Sequence, residues 1–374
     1  MNKLNDTIKR VNCCICDSPY LTKVCTIPDA PIYMGVSDSD DELCLDMSFA
    51  KCAVCNTVQI DNLVPQHLLY QANHNTDTVG KTWYGHYSAF AEFITKHCNT
   101  SNVIELGDPA AKVARLCPHT SWTIIEPNPS NLEAPSTVKY ITGYFSDAGG
   151  ESYTTAILSH VLEHAFEPKQ MLLSVRDALA ESGRICISVP NMGHIAKTPQ
   201  MPPLGMHLEH TFFLDAERLE YLVKASGFEI IELELYQNHS VFICASKAST
   251  VLDIASSNFY DAESPLLSGI EHYTCLTSDI QKKVINGHRP IFVYGAHIQT
   301  QLLMCLGLDT AKLSGVLDGS TQKHGRRLYG TGLTVFPPET ISAHKSPVII
   351  CHMGPYTDEI KEALMQINDR CEFI

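Results

Sequence analysis

The sequence contains no apolar run of the roughly 18–20 residues that a membrane-spanning helix needs. Met1 to Arg10 carries no apolar stretch of the secretory-signal kind, so a soluble cytoplasmic protein without a membrane partner is expected. Positive charge is scarce: 27 Lys and Arg stand against 41 Asp and Glu, a formal net charge of −14. No basic stripe breaks that balance. Phosphate backbones are held by clustered Lys and Arg, so no nucleic-acid partner is expected. An acidic balance mainly favours solubility, and it leaves room for an anionic small substrate held by a few local cations. Low-complexity segments and short-period repeats are absent as well. A chain of 374 residues should hold two or three domains, and 44% hydrophobic with 18% charged residues is ordinary for a soluble globular enzyme. No feature reads on oligomeric state.

Cysteine is present in excess, at 15 residues. Eight are scattered singly, from Cys98 to Cys371, and are expected as small buried apolar side chains. The other seven crowd into the first 55 positions and mark a separate module. Cys13–Cys16 and Cys52–Cys55 form two C-x-x-C knuckles about 35 residues apart. Each knuckle turns two sulfurs toward one centre, and four thiolates satisfy tetrahedral Zn²⁺ with no position left for water, so a structural zinc ion is expected. Metal binding would then stabilise a segment too small to build its own core. A redox dithiol would be a single motif between a strand and a helix. Cys14, Cys25 and Cys44 are substitute ligand candidates.

Beyond about residue 66 the pattern becomes α/β. Helical spacing covers Trp83 to Lys96. Strands are expected at Asn102–Leu106, Trp122–Glu126, Thr154–Leu158 (after a Gly149-Gly150 turn) and Arg184–Val189, with helices at Ala110–Leu116, Met171–Ala180 and Ala216–Ala225. Strands alternating with helices imply a parallel sheet covered on both faces, with ligands bound beyond the carboxyl ends of the strands. The first strand ends in Glu105-Leu106-Gly107, and the second in Glu126, 19 residues after Gly107 and well placed to accept from both hydroxyls of a ribose. The G-x-G-x-x-G fingerprint of nicotinamide cofactors is missing.

This segment resembles the class I S-adenosylmethionine-dependent methyltransferases. Glu105-Leu106-Gly107-Asp108-Pro109-Ala110-Ala111 stands where that family has acid-x-Gly-x-Gly-x-Gly, with Pro109 and Ala111 replacing later glycines. Ile125-Glu126-Pro127-Asn128 resembles its ribose motif, Ser159 to His164 its segment after the fourth strand, and Ile187 to Asn191 its fifth strand. The resemblance implies S-adenosylmethionine as cofactor, with Tyr70, Glu105, Gly107, Asp108, Glu126, Pro127, Ser159 and His160 around it.

The whole chain resembles a three-part family, the sugar C-methyltransferases that act on nucleotide-linked deoxysugars. Their parts are an N-terminal zinc module, a central methyltransferase domain and a C-terminal Rossmann-like domain, here residues 1–65, 66–250 and 251–374. The linker from Leu69-Tyr70 through Trp83-Tyr84-Gly85-His86-Tyr87 resembles the family's tyrosine-rich approach to the methyltransferase domain. His207-Leu208-Glu209-His210 resembles its Tyr-x-Glu-His, with His207 in place of the tyrosine. Lys323-His324-Gly325-Arg326 is similar to its Lys-Gln-Gly-Arg. The resemblance implies a nucleotide sugar as the partner and a role in glycan biosynthesis.

C-methylation begins by removing a proton next to a keto group, and the resulting enolate must be stabilised. His210 is the first candidate base, since imidazole titrates near neutrality. Glu209 would orient or charge it, and His207 reaches the same pocket if the segment turns. His86 and Tyr84 are candidate donors to the developing oxyanion. The change at His207 keeps O-methylation of a sugar hydroxyl in view. The altered Pro109-Ala110-Ala111 turn keeps a non-catalytic sugar-nucleotide-binding protein in view.

Overall fold

The computed structural model describes residues 1–39, 41–70, 81–129, 134–145, 152–199, 201–202, 204–249, 258–285 and 289–374. Most of the tyrosine-rich linker, the Gly149-Gly150 turn and the expected domain boundary at 250–251 lie outside them.

The N-terminal module holds β1 (Asn2–Lys3), β2 (Ile8–Lys9), β3 (Leu21–Pro31), β4 (Val36–Ser37), β5 (Leu43–Cys52), β6 (Val58–Ile60) and β7 (Asn62–Leu63). The long β3–β5 antiparallel pair is its backbone, with β6 added to β5. The two knuckles fold alike. Asp17 N donates to Cys13 O at 2.9 Å and Asn56 N to Cys52 O at 3.0 Å, and both donors are left-handed, at φ 60° and 59°. Asn and Asp tolerate that conformation better than other side-chain-bearing residues.

The central domain opens with α1 (Gln66–Leu69) and α2 (Lys81–His97). Its sheet contains β8 (Asn102–Leu106), β9 (Ser121–Glu126), β10 (Val138–Thr142), β11 (Tyr153–Ser159), β12 (Leu179–Pro190), β13 (Phe228–Tyr236) and β14 (Ser240–Lys247), with α3 (Pro168–Ala178), α4 (Met192–Ile195) and α5 (Ala216–Ala225) between strands. The strand order is β10-β9-β8-β11-β12-β14-β13, parallel as far as β12, with β14 antiparallel to both its neighbours. This is the class I methyltransferase sheet. Chain order reverses at β8, between β9 and β11, and the crevice there is where such sheets bind ligands.

Ala110–Leu116 is not a helix but a run of turns. Asp108 is the cause: its carboxylate accepts from the amides of Ala110 at 3.0 Å, Lys112 at 2.5 Å and Val113 at 3.2 Å. Ala111 is left-handed at φ 51°, which a right-handed helix cannot accommodate. The family's last glycine is replaced here, yet the glycine-like backbone conformation persists. Α5 appears over the expected residues, capped by the Asp215 side chain on Arg218 N, and Gly227 at φ 79° closes its end.

The C-terminal part runs α6 (Glu263–Ile285), β15 (Ile291–Tyr294), α7 (Ile298–Cys305), β16 (Gly315–Leu317), β17 (Arg327–Leu328), β18 (Val335–Phe336), β19 (Val348–Ile350), α8 (Thr357–Ile367) and β20 (Glu372–Phe373). Its five-stranded sheet, β18-β16-β15-β19-β20, is parallel throughout and Rossmann-like.

The N-terminal module does not stand alone. One continuous core joins its Ile27, Phe49, Val58 and Ile60 to Leu266 and Tyr273 of α6 and to Leu302 of α7. β4 pairs with β17, and Gln301 Nε2 donates to Tyr33 O at 2.9 Å and Tyr329 O at 3.0 Å. The apolar surface that 1–65 cannot bury alone is therefore covered by the C-terminal part. Of the scattered cysteines, Cys275 is exposed rather than buried. Cys98, Cys186 and Cys244 converge in the core, with sulfurs 3.4 and 3.8 Å from that of Cys98.

Candidate functional site

The cleft at the carboxyl end of the central sheet is walled by residues from successive strand ends. Gly107 follows β8, Glu126 and Pro127 end β9, and His160 follows β11; Tyr70, His164 and Glu209 complete the surround. Gly107 has φ 75°, and a Cβ there would meet Val161 Cγ2 at 2.7 Å, so only glycine fits the turn. Glu126 presents its carboxylate at the strand end, where Asn128 N donates to Oε1 at 2.9 Å. An acid so placed suits a ribose diol, and the open turn at Gly107 leaves room for the rest of a nucleoside. The site therefore fits S-adenosylmethionine.

The other expected cofactor residues divide. Glu105 is buried and accepts from Trp122 Nε1 at 2.8 Å. Burial, with the Asp108 charge beside it, pushes its carboxyl well above the usual range. Asp108 is turned into its own loop. Neither acid lines the cleft, nor does Ser159. Pro109 does line it, so the substituted turn forms part of the wall.

Of the expected catalytic residues, Glu209 lines the cleft, while His207 and His210 do not. The His207 and His210 rings lie 4.1 Å apart between centroids, and Glu209 N donates to His207 Nδ1 at 3.3 Å. Burial lowers the His210 pKa to about 3, so its ring is neutral near pH 7. Tyr84 is 65% exposed on α2 and does not line the cleft.

His86 is buried on α2 and bonded to Ser188 Oγ at 2.9 Å. It belongs to a cluster with His160 and His239 under Trp83, which sequence spacing does not reveal. His160 bonds to Ser240 Oγ at 3.0 Å through Nε2, and His239 reaches the same oxygen at 2.7 Å. Burial pushes His86 far down and lowers His239 to about 4. His160 is left-handed at φ 55°, a strained conformation held by its own amide on Ser188 O at 2.8 Å.

Two buried arginines escaped sequence reasoning. Arg10 donates to Ile60 O, Thr211 O and Phe166 O, each at 3.0 Å. Arg218 bonds to Asp215 at 2.8 Å, to Thr57 Oγ1 at 3.0 Å and to Tyr260 O at 2.7 Å. Ile60 N also donates to Thr211 O at 2.8 Å, and Phe213 N to Val58 O at 2.9 Å. The strand after the second knuckle thus holds the segment that carries His207, Glu209 and His210.

Cys13, Cys16, Cys52 and Cys55 place their sulfurs within 4.8 Å of one another, and Cys14, Cys25 and Cys44 are outside the group. Cys13–Cys55 and Cys16–Cys52 sulfurs are 3.5 and 3.6 Å apart. Tetrahedral Zn–S bonds of about 2.3 Å imply S···S edges of about 3.8 Å. The donor set fits zinc. A hydrogen bond from Cys13 lowers Cys55 to about 5, while burial raises Cys16 to about 12.

In the C-terminal sheet, Asp318 follows β16 but is internally engaged. It accepts from Ala296 N at 2.8 Å, Ser320 N at 2.9 Å and Lys323 Nζ at 3.1 Å. The Lys323–Arg326 segment holds the sheet together and reaches back to Asp38 through Arg326.

Residues 87–233 match the family model described as a methyltransferase domain, and residues 272–374 the one described as a C-methyltransferase C-terminal domain. No curated protein matches the chain significantly. Among solved structures, the chain is similar to Burkholderia thailandensis 1,6-didemethyltoxoflavin-N1-methyltransferase with bound S-adenosylhomocysteine: 16% identity, 45% of this chain and 82% of that one, TM-score 0.35. It is also similar to the N-methyltransferase NodS of Bradyrhizobium japonicum WM9 with S-adenosylhomocysteine: 11% identity, 49% and 95% coverage, TM-score 0.35. A third is the complex of the Haloferax volcanii Trm112 methyltransferase activator with a putative methyltransferase: 9% identity, 45% and 92% coverage, TM-score 0.38. Strand order, not these likenesses, carries the fold assignment.

Proposed function

Proceeding from a chain that is an S-adenosylmethionine-dependent methyltransferase with a C-methyltransferase C-terminal domain, we propose that it methylates a carbon next to a keto group on a nucleotide-linked sugar. The observation that carries this reading is the buried carboxylate of Glu209, 2% exposed yet lining the cleft shared by Glu126 and His160.

When bound, the cofactor supplies an electrophilic methyl group on a sulfonium and leaves as S-adenosylhomocysteine. Glu126 and the Gly107 turn hold it, with Tyr70 and Pro127 on the walls. Glu209, the member of the His207–Glu209–His210 segment that faces the cleft, takes the proton from the carbon that will be methylated. The pair of electrons left on that carbon forms the new bond to the methyl group. His160, held by Ser240 Oγ through Nε2 and beside Glu163 Oε1 through Nδ1, forms part of the cleft wall that Glu209 also lines. A zinc ion held by Cys13, Cys16, Cys52 and Cys55 would fix the strand after the second knuckle, to which the segment carrying Glu209 is bonded. Support for a carbon acceptor comes from the family to which residues 272–374 belong; the sugar and its nucleotide rest on the resemblance of the whole chain.

Calorimetry with S-adenosylmethionine should show micromolar binding that Glu126→Ala abolishes. With a keto-sugar nucleotide in deuterated buffer, the wild type should exchange the proton beside the keto group and then add one carbon-bound methyl. Glu209→Gln should lose the exchange while still binding the cofactor. A methyl group found on oxygen would overturn the carbon assignment, and absence of cofactor binding by the folded, zinc-loaded protein would favour a non-catalytic binding protein.

A further inference from the structure

Three thiols meet where the end of α2 packs on the central sheet. Cys98 immediately follows the helix, while Cys186 of β12 and Cys244 of β14 are opposite each other in an antiparallel ladder. The Cys98 sulfur stands 3.4 Å from that of Cys186 and 3.8 Å from that of Cys244. All three sulfurs lie within 4.8 Å of one another, and no fourth histidine, cysteine or acid joins the group among the described residues. The surroundings are apolar: Phe90, Ile94, Val103, Ile157 and Phe242 belong to the same core.

A lone buried cysteine is explained by packing. This group has charge as well. Hydrogen bonds from the Cys186 and Cys244 thiols hold Cys98 down to about 4, so its sulfur is a thiolate near pH 7. Arg184, two residues before Cys186, donates to the carbonyl of His97 beside Cys98, and its positive charge favours the ionised form of both Cys98 and Cys244. An anion in an apolar core is costly unless a cation compensates it, and one guanidinium at the margin does so only in part.

We propose that Cys98, Cys186 and Cys244 form a binding site for one soft monovalent metal ion of the Cu(I) class, separate from the four-cysteine cluster. Soft thiolate ligands select Cu(I), whereas structural zinc takes four donors in a tetrahedron. Three planar bonds of about 2.3 Å, the length of a zinc–sulfur bond, set S···S edges of about 4.0 Å. The two Cys98 edges reach that value with shifts of about 0.6 Å or less. A single positive charge is also cheaper to bring into this core than two. Cys98 is half-buried while its two partners are buried, so the ion enters past Cys98. Once bound, it would tie the end of α2 to β12 and β14, as the bond from His86 to Ser188 already ties the first half of that helix to β12. None of the three cysteines lines the cleft, so the site is independent of the reaction proposed above.

In the test, full-length protein is reduced, loaded with one equivalent of zinc and titrated without oxygen with Cu(I) held by bicinchoninate, a coloured competitor. The gel-filtered product is then analysed for both metals. One copper per chain should bind with the zinc retained, and it should luminesce as a Cu(I)–thiolate centre shielded from water. Cys98→Ser and Cys244→Ala should each weaken uptake about 100-fold, and Arg184→Gln about 10-fold. Each variant should keep its zinc, its circular-dichroism spectrum and its S-adenosylhomocysteine thermal shift. Cys98→Ser, at the half-buried rim, keeps the test decisive if Cys244→Ala fails to fold. The proposal is overturned if no copper binds, if copper enters only as zinc leaves, or if Cys98→Ser holds it as tightly as wild type.

Discussion

Glu105 shows how a single buried acid sets a pH dependence. Its folded pKa is raised, first by burial and then by Asp108. Above the ordinary carboxylate pKa near 4.3 the unfolded chain gives up this proton and the folded chain keeps it, so stability falls as pH rises until the folded carboxyl itself ionises. Glu105→Gln retains an acceptor for Trp122 and has no proton to lose. Urea unfolding should find the variant close to wild type near pH 4 and more stable at pH 8. A variant equally destabilised at both pH values would mean the carboxyl contributes something amide chemistry does not. The histidines run the other way. His239 is held down to about 4 by burial, so below pH 6.5 the unfolded chain binds a proton that the fold refuses, and stability drops between pH 6.5 and 4. Replacing it by His239→Asn should make that decline shallower; an unchanged slope would remove His239 from the account.

Between elements, the contact that matters most joins β6 to the segment after His210. Arg10 closes it from beneath with three carbonyl bonds. Arg10→Met should cost on the order of 3 kcal/mol by leaving buried carbonyls unpaired. It should slow methyl transfer more than it weakens S-adenosylhomocysteine binding, because Glu126 and Gly107 sit on other strands. Equal losses in both would show that the damage is global. Much of this level was legible from the chain. Apolar runs marked β8, β9, β11 and β12 because strands covered on both faces read as continuous hydrophobic stretches. The knuckle spacing marked the sulfur cluster. The Ala110–Leu116 helix failed because the Asp108 side chain competes for the amides a helix would use. Local spacing also could not bring His164 to His210, or His86 to His239, since those approaches are made by sheet order and chain return. Nor could it show that the order within His207–Glu209–His210 would leave the acid, not the imidazoles, on the cleft wall.

On the scale of the molecule, the first and last parts share one core, which Met192, Met206 and Phe213 of the central domain join. Removing residues 258–374 would uncover Ile27, Phe49, Val58 and Ile60 together. The shortened chain should aggregate or bind hydrophobic dye strongly, with or without added zinc; a monomeric, dye-silent, zinc-loaded fragment would show that the module supports itself. The pairing of β4 with β17 joins Val36 to Leu328. A ribosome adds about 5–20 residues per second, so roughly 15–60 s separate the synthesis of these partners. For that interval the growing polypeptide presents an unfinished sheet edge and an uncovered greasy face to its surroundings. Production in a cell is therefore limited by how well that half-made surface is shielded, and slower growth at low temperature or extra holding chaperone should raise the soluble yield more than any change to the finished enzyme.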